Sequence, residues 1–550
     1  MDYKRIFAYV ILFFSAFLLW NAWQAEHAPK TENTQASTTQ QSLPTSTASA
    51  AETTTPGTNV SSVPQIIPQG KRITIKTDVL TVAIDTKGGD LVQSKLHDYP
   101  ETIKTPDAPY TLLDNKTDDT YLAQSGVVAQ GQQPQPLVFS APQAEYQLKD
   151  SQDQLNVVLT AKTADGLLVT KTYTFYRGEY KVDLSMAMKN ETSNTWVGQY
   201  YLQLVRSNTP PKSENFVHYA FFGAAVSSPE KHYQKLKFKN LAETPLNQTI
   251  SDGWLAMIQH YFVSAWVPPT QESFRYYSLT NNNLYTLGSL SPVFSIQPNQ
   301  IVNKTGTLYS GPAIATNLDA VAPNLKLTID YGWFWFISVI LFWLMQHIYN
   351  IIGNWGWSIV LVTVLIKAVF YKLSAKSYRS MAEMKRLQPK IKMLQERFSD
   401  DKQKLSQATM ELYRKEKVNP LGGCLPLLVQ IPVFIGLYWV LAESVQLRQA
   451  PFILWIHDLS LKDPYYVLPV LMGLSMLIQQ KISPPPPDPM QAKMMMLLPV
   501  VFTVFFLNFP AGLVLYWVVN NSLSILQQWL LMRKFAKETP AQQRKRKKKK

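Results

Sequence analysis

The stretch WSIVLVTVLIKAVFYKL, Trp357 to Leu373, sets Lys367 behind ten uncharged residues. Near the centre of a bilayer a lysine costs about 2.5–3.5 kcal/mol. Either the segment lies outside a membrane or the charge has a use. Its chemistry would be electrostatic: a fixed ammonium that draws an anionic or polar group into an apolar setting. Polar residues recur in the neighbouring apolar runs. Ser358 and Thr363 share the lysine's own segment, Gln430 falls in the next, Asn508 follows, and Tyr516, Asn520, Asn521 and Ser522 lie in the last. Facing lipid, each would be costly, so together they suggest a shared hydrated interior. Thr363 precedes Lys367 by four residues, on one helical face. Any one of these polar residues also fits an ordinary bond between packed helices, worth about 0.6 kcal/mol.

Covalent and metal chemistry find little support. The single cysteine, Cys424, excludes an internal disulfide and a Cys-based metal site. The seven histidines are scattered without ligand spacing, and neither a Gly-x-Ser-x-Gly elbow nor a phosphate-cradling glycine loop is present. The chain is therefore expected to use no cofactor and no metal, and to be no enzyme.

The elements that would position these residues divide the 550-residue chain in two. Residues 1–26 pair Lys4 and Arg5 with an uncharged run long enough to span, read as an uncleaved anchor with a cytoplasmic N-terminus. The competing reading is a cleavable signal peptide. Residues 27–70, rich in Thr, Ser, Gln and Ala, form a flexible linker. Period-2 alternation over 71–325, broken at Gly88-Gly89, Asp165-Gly166 and Arg177-Gly178, predicts a large antiparallel β-sandwich.

Apolar segments dominate from Tyr331, and the charge settles their order. Residues 374–420 hold 12 Lys/Arg against 6 Asp/Glu, net +6, and residues 533–550 hold 10 against 1, net +9; together these equal the whole formal charge of +15. The positive-inside rule puts both segments in the cytoplasm. Parity then requires 331–353 to lie along the periplasmic surface, which its aromatic residues at 331, 333, 335, 343 and 349 suit. Transmembrane helices follow at 356–373, 421–442, 465–482, 494–509 and 511–532, with a periplasmic loop at 443–464 and a cytoplasmic one at 483–493. The fold class is thus a multi-domain membrane protein: an α-helical bundle of six spans plus one interfacial helix, a large periplasmic β-sandwich, and a cytoplasmic helical hairpin at 374–420. Met381, Met384, Leu387, Ile391, Leu394 and Phe398 form one stripe of that hairpin, Leu405, Ala408 and Leu412 the other. Asp401 and its neighbours cap the second arm, and Pro389 is expected to kink the first.

Within 331–532, NWGWSIVLVTVLIKAVFYKLSAKSY, LQPKIKMLQERF, NPLGGCLPLLVQIPVF, LRQAPFILWIHDLSLKDPYYVLPVLMG and FPAGLVLYWVVNN carry a resemblance to the YidC-type membrane protein insertases of Gram-negative bacteria. The resemblance implies an inner-membrane insertase and folding chaperone acting alone or with the Sec translocon. It further implies a groove, closed toward the periplasm, holding one positive charge at Lys367, where relatives commonly carry Arg. Ile431, Pro432, Phe434, Phe505, Phe506 and Trp517 would then meet nascent membrane proteins, with Met494, Met495 and Met496 adding an adaptable surface. The basic tail fits membrane lipids or, with the hairpin, a ribosome. Two rival readings are a transporter or channel, which also buries a charge, and a membrane-anchored enzyme acting on carbohydrate.

Overall fold

The computed structural model describes residues 67–116, 119–132, 135–210, 220–281, 283–398, 401–416, 418–419, 425–483 and 489–536. The predicted anchor, nearly all of the linker and all but the start of the basic tail lie outside the described residues.

Among the described residues the first half forms an 11-stranded and an 8-stranded sheet around one apolar core. The strand Leu167–Tyr176 shows how alternation builds it. Leu167, Val169, Lys171, Tyr173 and Phe175 point inward, and the strand Lys181–Asn190 beside it buries Val182, Leu184, Met186 and Met188. Pairing is antiparallel except where Thr74–Lys76 runs parallel to Glu145–Gln147. Gly166 at φ +88° and Gly178 at φ +69° make the turns that side chains with a Cβ would strain.

One inward residue of that strand is a lysine. Lys171 donates to the carbonyls of Gly88, Gly89 and Ser125 at 2.7, 3.2 and 2.8 Å, and lies 3.6 Å from the Asp90 carboxylate. Asp90 accepts in turn from the Ser125 backbone and the Gln124 amide. The cluster rivets the smaller sheet to the larger, with every donor of the buried ammonium used.

The second half is helical: α1 (Trp335–Ile352), α2 (Trp355–Val369), α3 (Tyr371–Arg397), α4 (Lys402–Lys415), α5 (Leu425–Glu443), α6 (Val467–Ile482), α7 (Pro489–Phe506) and α8 (Ala511–Ala536). Helix α8 is central and packs on α2, α3, α5 and α6; α7 packs on α6, and α1 lies on α2 and α5. Inward residues such as Ile359, Val362, Leu437, Met472, Leu513 and Tyr516 form the core. The outer faces stay apolar: Leu361, Val364 and Val369 on α2, Leu474 and Ile478 on α6, and Leu497, Val500 and Val504 on α7 are all exposed. Such a continuous apolar exterior suits hydrocarbon rather than water.

Only α1, among the described residues, passes as a single membrane-crossing helix by length and composition; residues 429–443, 467–482 and 492–506 are shorter apolar helices. Helices α2 and α3 meet at a 67° bend. The apolar helix therefore ends at Val369, four residues before Leu373, and the chain turns at Phe370. Pro389 lies inside α3 without ending it. Asp401 caps α4 by accepting from the Gln403 and Lys404 backbone N–H groups. The two arms meet over Leu387, Ile391, Tyr413 and Val418, flanked by Met384 and Leu412.

The segment between α5 and α6 is tightly bonded. Leu461 and Leu459 accept from the Ala511 and Gly512 N–H groups at 2.6 and 2.9 Å. Asp463 accepts from the Trp455 indole and from the backbone of Tyr465 and of Leu468 in the first turn of α6. Toward the sandwich, Arg448 donates to the Glu101 carbonyl, Gln449 to that of Pro100, and His260 pairs with the Ala442 carbonyl at the end of α5.

Candidate functional site in the helical bundle

Lys367 sits three residues from the end of α2, counting Val369 as the last, and is half-buried. Its Nζ donates to the Ser524 hydroxyl of α8 at 2.7 Å. Ser524 Oγ donates its own proton to the Asn520 carbonyl at 2.7 Å. One turn earlier, the Asn520 side-chain oxygen accepts from the Gln430 amide of α5, and the same nitrogen reaches the Tyr516 hydroxyl at 3.2 Å. A continuous polar chain thus runs Lys367–Ser524–Asn520–Gln430–Tyr516 through an otherwise apolar core. No ion pair engages Lys367 among the described residues, so no carboxylate among them cancels its charge.

The spacing explains the chain. Tyr516, Asn520 and Ser524 recur every four residues, which stacks them along one stripe of α8. That stripe faces Gln430 on one flank and Lys367 on the other.

Other expected site residues fall elsewhere. Ser358 and Thr363 are fully buried in α2, but each donates within its own helix, to the Asn354 and Ile359 carbonyls. Asn521 turns to α6, donating to Ser475 at 3.0 Å. Ser522 is exposed and back-bonds to Val518. Asn508 is exposed in the turn after α7, and no hydrogen bond joins it to the chain among the described residues. Ser524 escaped sequence reasoning, although its four-residue spacing from Asn520 was the signal that could have found it.

Beside the polar chain stands an aromatic cluster. Phe434 lies 5.2 Å from Trp517, Trp517 lies 6.0 Å from Phe506, and Phe506 lies 5.6 Å from Phe505. Phe506 is buried while Phe434, Phe505, Trp517 and Pro432 are half-buried; Ile431 and Met494, Met495 and Met496 are exposed. The arrangement offers a charge, a polar track and an apolar flank within one bundle.

Comparison with known families agrees with this division of the chain. Residues 72–344 match the YidC periplasmic domain and residues 347–538 the 60Kd inner membrane protein family. The chain is 47% identical over 544 residues to the membrane protein insertase YidC of Coxiella burnetii, covering 96% of each. It is 48% identical over 563 residues to that of Legionella pneumophila, covering 98% of this chain and 99% of the relative. A crystal structure of an active YidC insertase with its first transmembrane domain resolved aligns with 84% of this chain and 92% of its own, at TM-score 0.38 and 17% identity. The chain belongs to the YidC family of membrane protein insertases.

Proposed function

We propose that this protein inserts hydrophobic segments of nascent proteins into the bacterial inner membrane and assists their folding, alone or beside the Sec translocon. The observation that carries the reading is the half-buried ammonium of Lys367, bonded to Ser524 on its polar chain and facing no carboxylate among the described residues. It gives an acidic or polar client tail a stopping point part-way across, where attraction exceeds that in bulk water. The client's apolar segment then moves into lipid past Ile431, Pro432, Phe434, Phe505, Phe506 and Trp517, with Met494 to Met496 adapting to its shape. Gln430, Tyr516 and Asn520 serve as the polar lining in this reading, with Ser358, Thr363, Asn508 and Asn521 set apart from that track.

The topology that serves it has six spans, with both termini and the hairpin of 374–420 in the cytoplasm and residues 71–325 in the periplasm. Support comes from the two ends of α1. Near its start, Ser338 donates to the Gly436 carbonyl at 3.0 Å; near its finish, Tyr349 stacks on Trp355 at 4.3 Å. Gly436 lies toward the end of α5 that meets the sandwich, and Trp355 opens α2 beside the 444–466 segment, to whose Phe452 carbonyl Asn354 donates. Both ends thus touch the same side of the bundle, as a helix lying along a surface would. The basic tail would hold anionic lipid or ribosomal RNA.

Replacing Lys367 by Arg, Gln or Glu and following insertion of a single-span client with an acidic tail tests the proposal. Arg should retain insertion and Glu should abolish it. Normal insertion by both the Gln and Glu variants would end the charge reading.

A further inference from the structure

Left to itself, Lys367 has an easier place to be. It lies within one turn of the end of α2, and a long lysine side chain there extends toward the nearer water layer, keeping its stem in apolar surroundings. Instead it reaches across to α8, to a serine twelve residues before that helix ends at Ala536. The acceptor is oriented for it. Ser524 spends its single proton on the Asn520 carbonyl, so its oxygen can only accept toward the lysine. The same residue is held from the other side of the 67° bend: the Tyr378 hydroxyl of α3 donates to the Ser524 backbone carbonyl at 3.4 Å. Side chain and backbone of one residue thus receive donors from both arms of the bend.

We propose that Ser524 is a positioning residue for the ammonium that receives client tails, a role resting on the function proposed above. It holds Nζ inward along the polar chain and uses one of its three N–H bonds. The other two have no acceptor among the described residues and remain for a client carboxylate or its water shell. Without the hydroxyl, the side chain turns outward and the stopping point moves toward the water layer.

The test uses the full-length protein in vesicles with two clients that differ only in tail charge, one bearing Asp and Glu and the other Asn and Gln. The quantity read is the ratio of acidic-tail to neutral-tail insertion for the wild type, Ser524→Ala, Ser524→Thr and Lys367→Gln. Ser524→Ala should lower the ratio about fivefold, the scale of one hydrogen bond. Ser524→Thr, which keeps the hydroxyl, should restore it. A wild-type ratio in Ser524→Ala, beside a collapsed ratio in Lys367→Gln, overturns the positioning role and leaves the proposed function standing. Equal losses with both clients that Thr does not restore also overturn it, because they mark a packing role. A wild-type ratio in Lys367→Gln defeats the proposed function itself.

Discussion

The side-chain amide of Gln430 on α5 donates to the side-chain oxygen of Asn520 on α8, closing the polar chain that begins at Lys367. Between membrane helices such bonds average about 0.6 kcal/mol and reach about 1.7. Gln430→Leu should therefore cost stability only within that range. If the amide also keeps the track wet, insertion of an acidic-tailed client should fall while a thermal melt in detergent barely moves. Unchanged insertion would reduce Gln430 to helix packing.

The Lys171–Asp90 cluster makes a contrasting prediction for the sandwich. Lys171→Ala strips the buried Asp90 carboxylate of its counter-charge and takes the ammonium from the Gly88, Gly89 and Ser125 carbonyls, and removing one partner of a buried pair costs about 3–5 kcal/mol. Asp90→Asn keeps an oxygen for the Ser125 N–H and should cost less. Denaturant unfolding of the sandwich, read by its tryptophans, would rank the two; the reverse order would contradict the rivet.

Alkaline stability of the sandwich should depend on Tyr99. Burial, followed by the nearby Asp98 carboxylate, pushes its hydroxyl up to about 12 from the usual 10. The fold thus favours the protonated phenol. Its contribution is complete below pH 10 and is lost as pH climbs through about 12. Tyr99→Phe should lose less stability across that window than the wild type, as measured by urea titrations at stepped pH.

Gly356, second residue of α2, packs against the 444–466 segment. A Cβ there would collide with the Phe452 ring, whose residue is fixed through its own N–H to the Ile456 carbonyl. Overpacking of this kind costs about 1–3 kcal/mol. Gly356→Ala should loosen this segment first, seen as faster amide exchange at Gly512 and Ala511, whose bonds it supplies.

The position of α1 can be checked with single cysteines at 336 and 351 in a Cys424→Ser background. A surface helix predicts that both react with an impermeant thiol reagent added from the side of the sandwich. Reaction from opposite sides would make α1 a span and reverse the proposed topology beyond it.

How much of this was written in the sequence depended on the kind of signal. Leu167–Tyr176 announces itself because alternating burial leaves a period-2 trace, and Asp401 because a cap has a local chemistry. The lysine of 357–373 was conspicuous for the cost of its setting. Lys171, by contrast, carries no local signal that sets it apart from the other polar residues of its strand. Its role depends on carbonyls 46 to 83 residues distant, which no local pattern encodes. The bend at Phe370 carries neither glycine nor proline to mark it, so the apolar pattern runs on to Leu373, four residues past the end of the helix. Asn520 and Asn521 are neighbours in the chain, yet a rotation of about 100° sends one to α5 and the other to α6. Composition marks both as polar and cannot divide them.

The backbone bonds from Ala511 and Gly512 to Leu461 and Leu459 have a bearing on electrical leakage. They stitch the first turn of α8 to the segment roofing the bundle beneath the sandwich. In the topology proposed here, the polar track of Lys367 would stop at this seam and never become a conduit. Ions would be refused by architecture rather than by a moving gate, and a polypeptide would have to depart sideways.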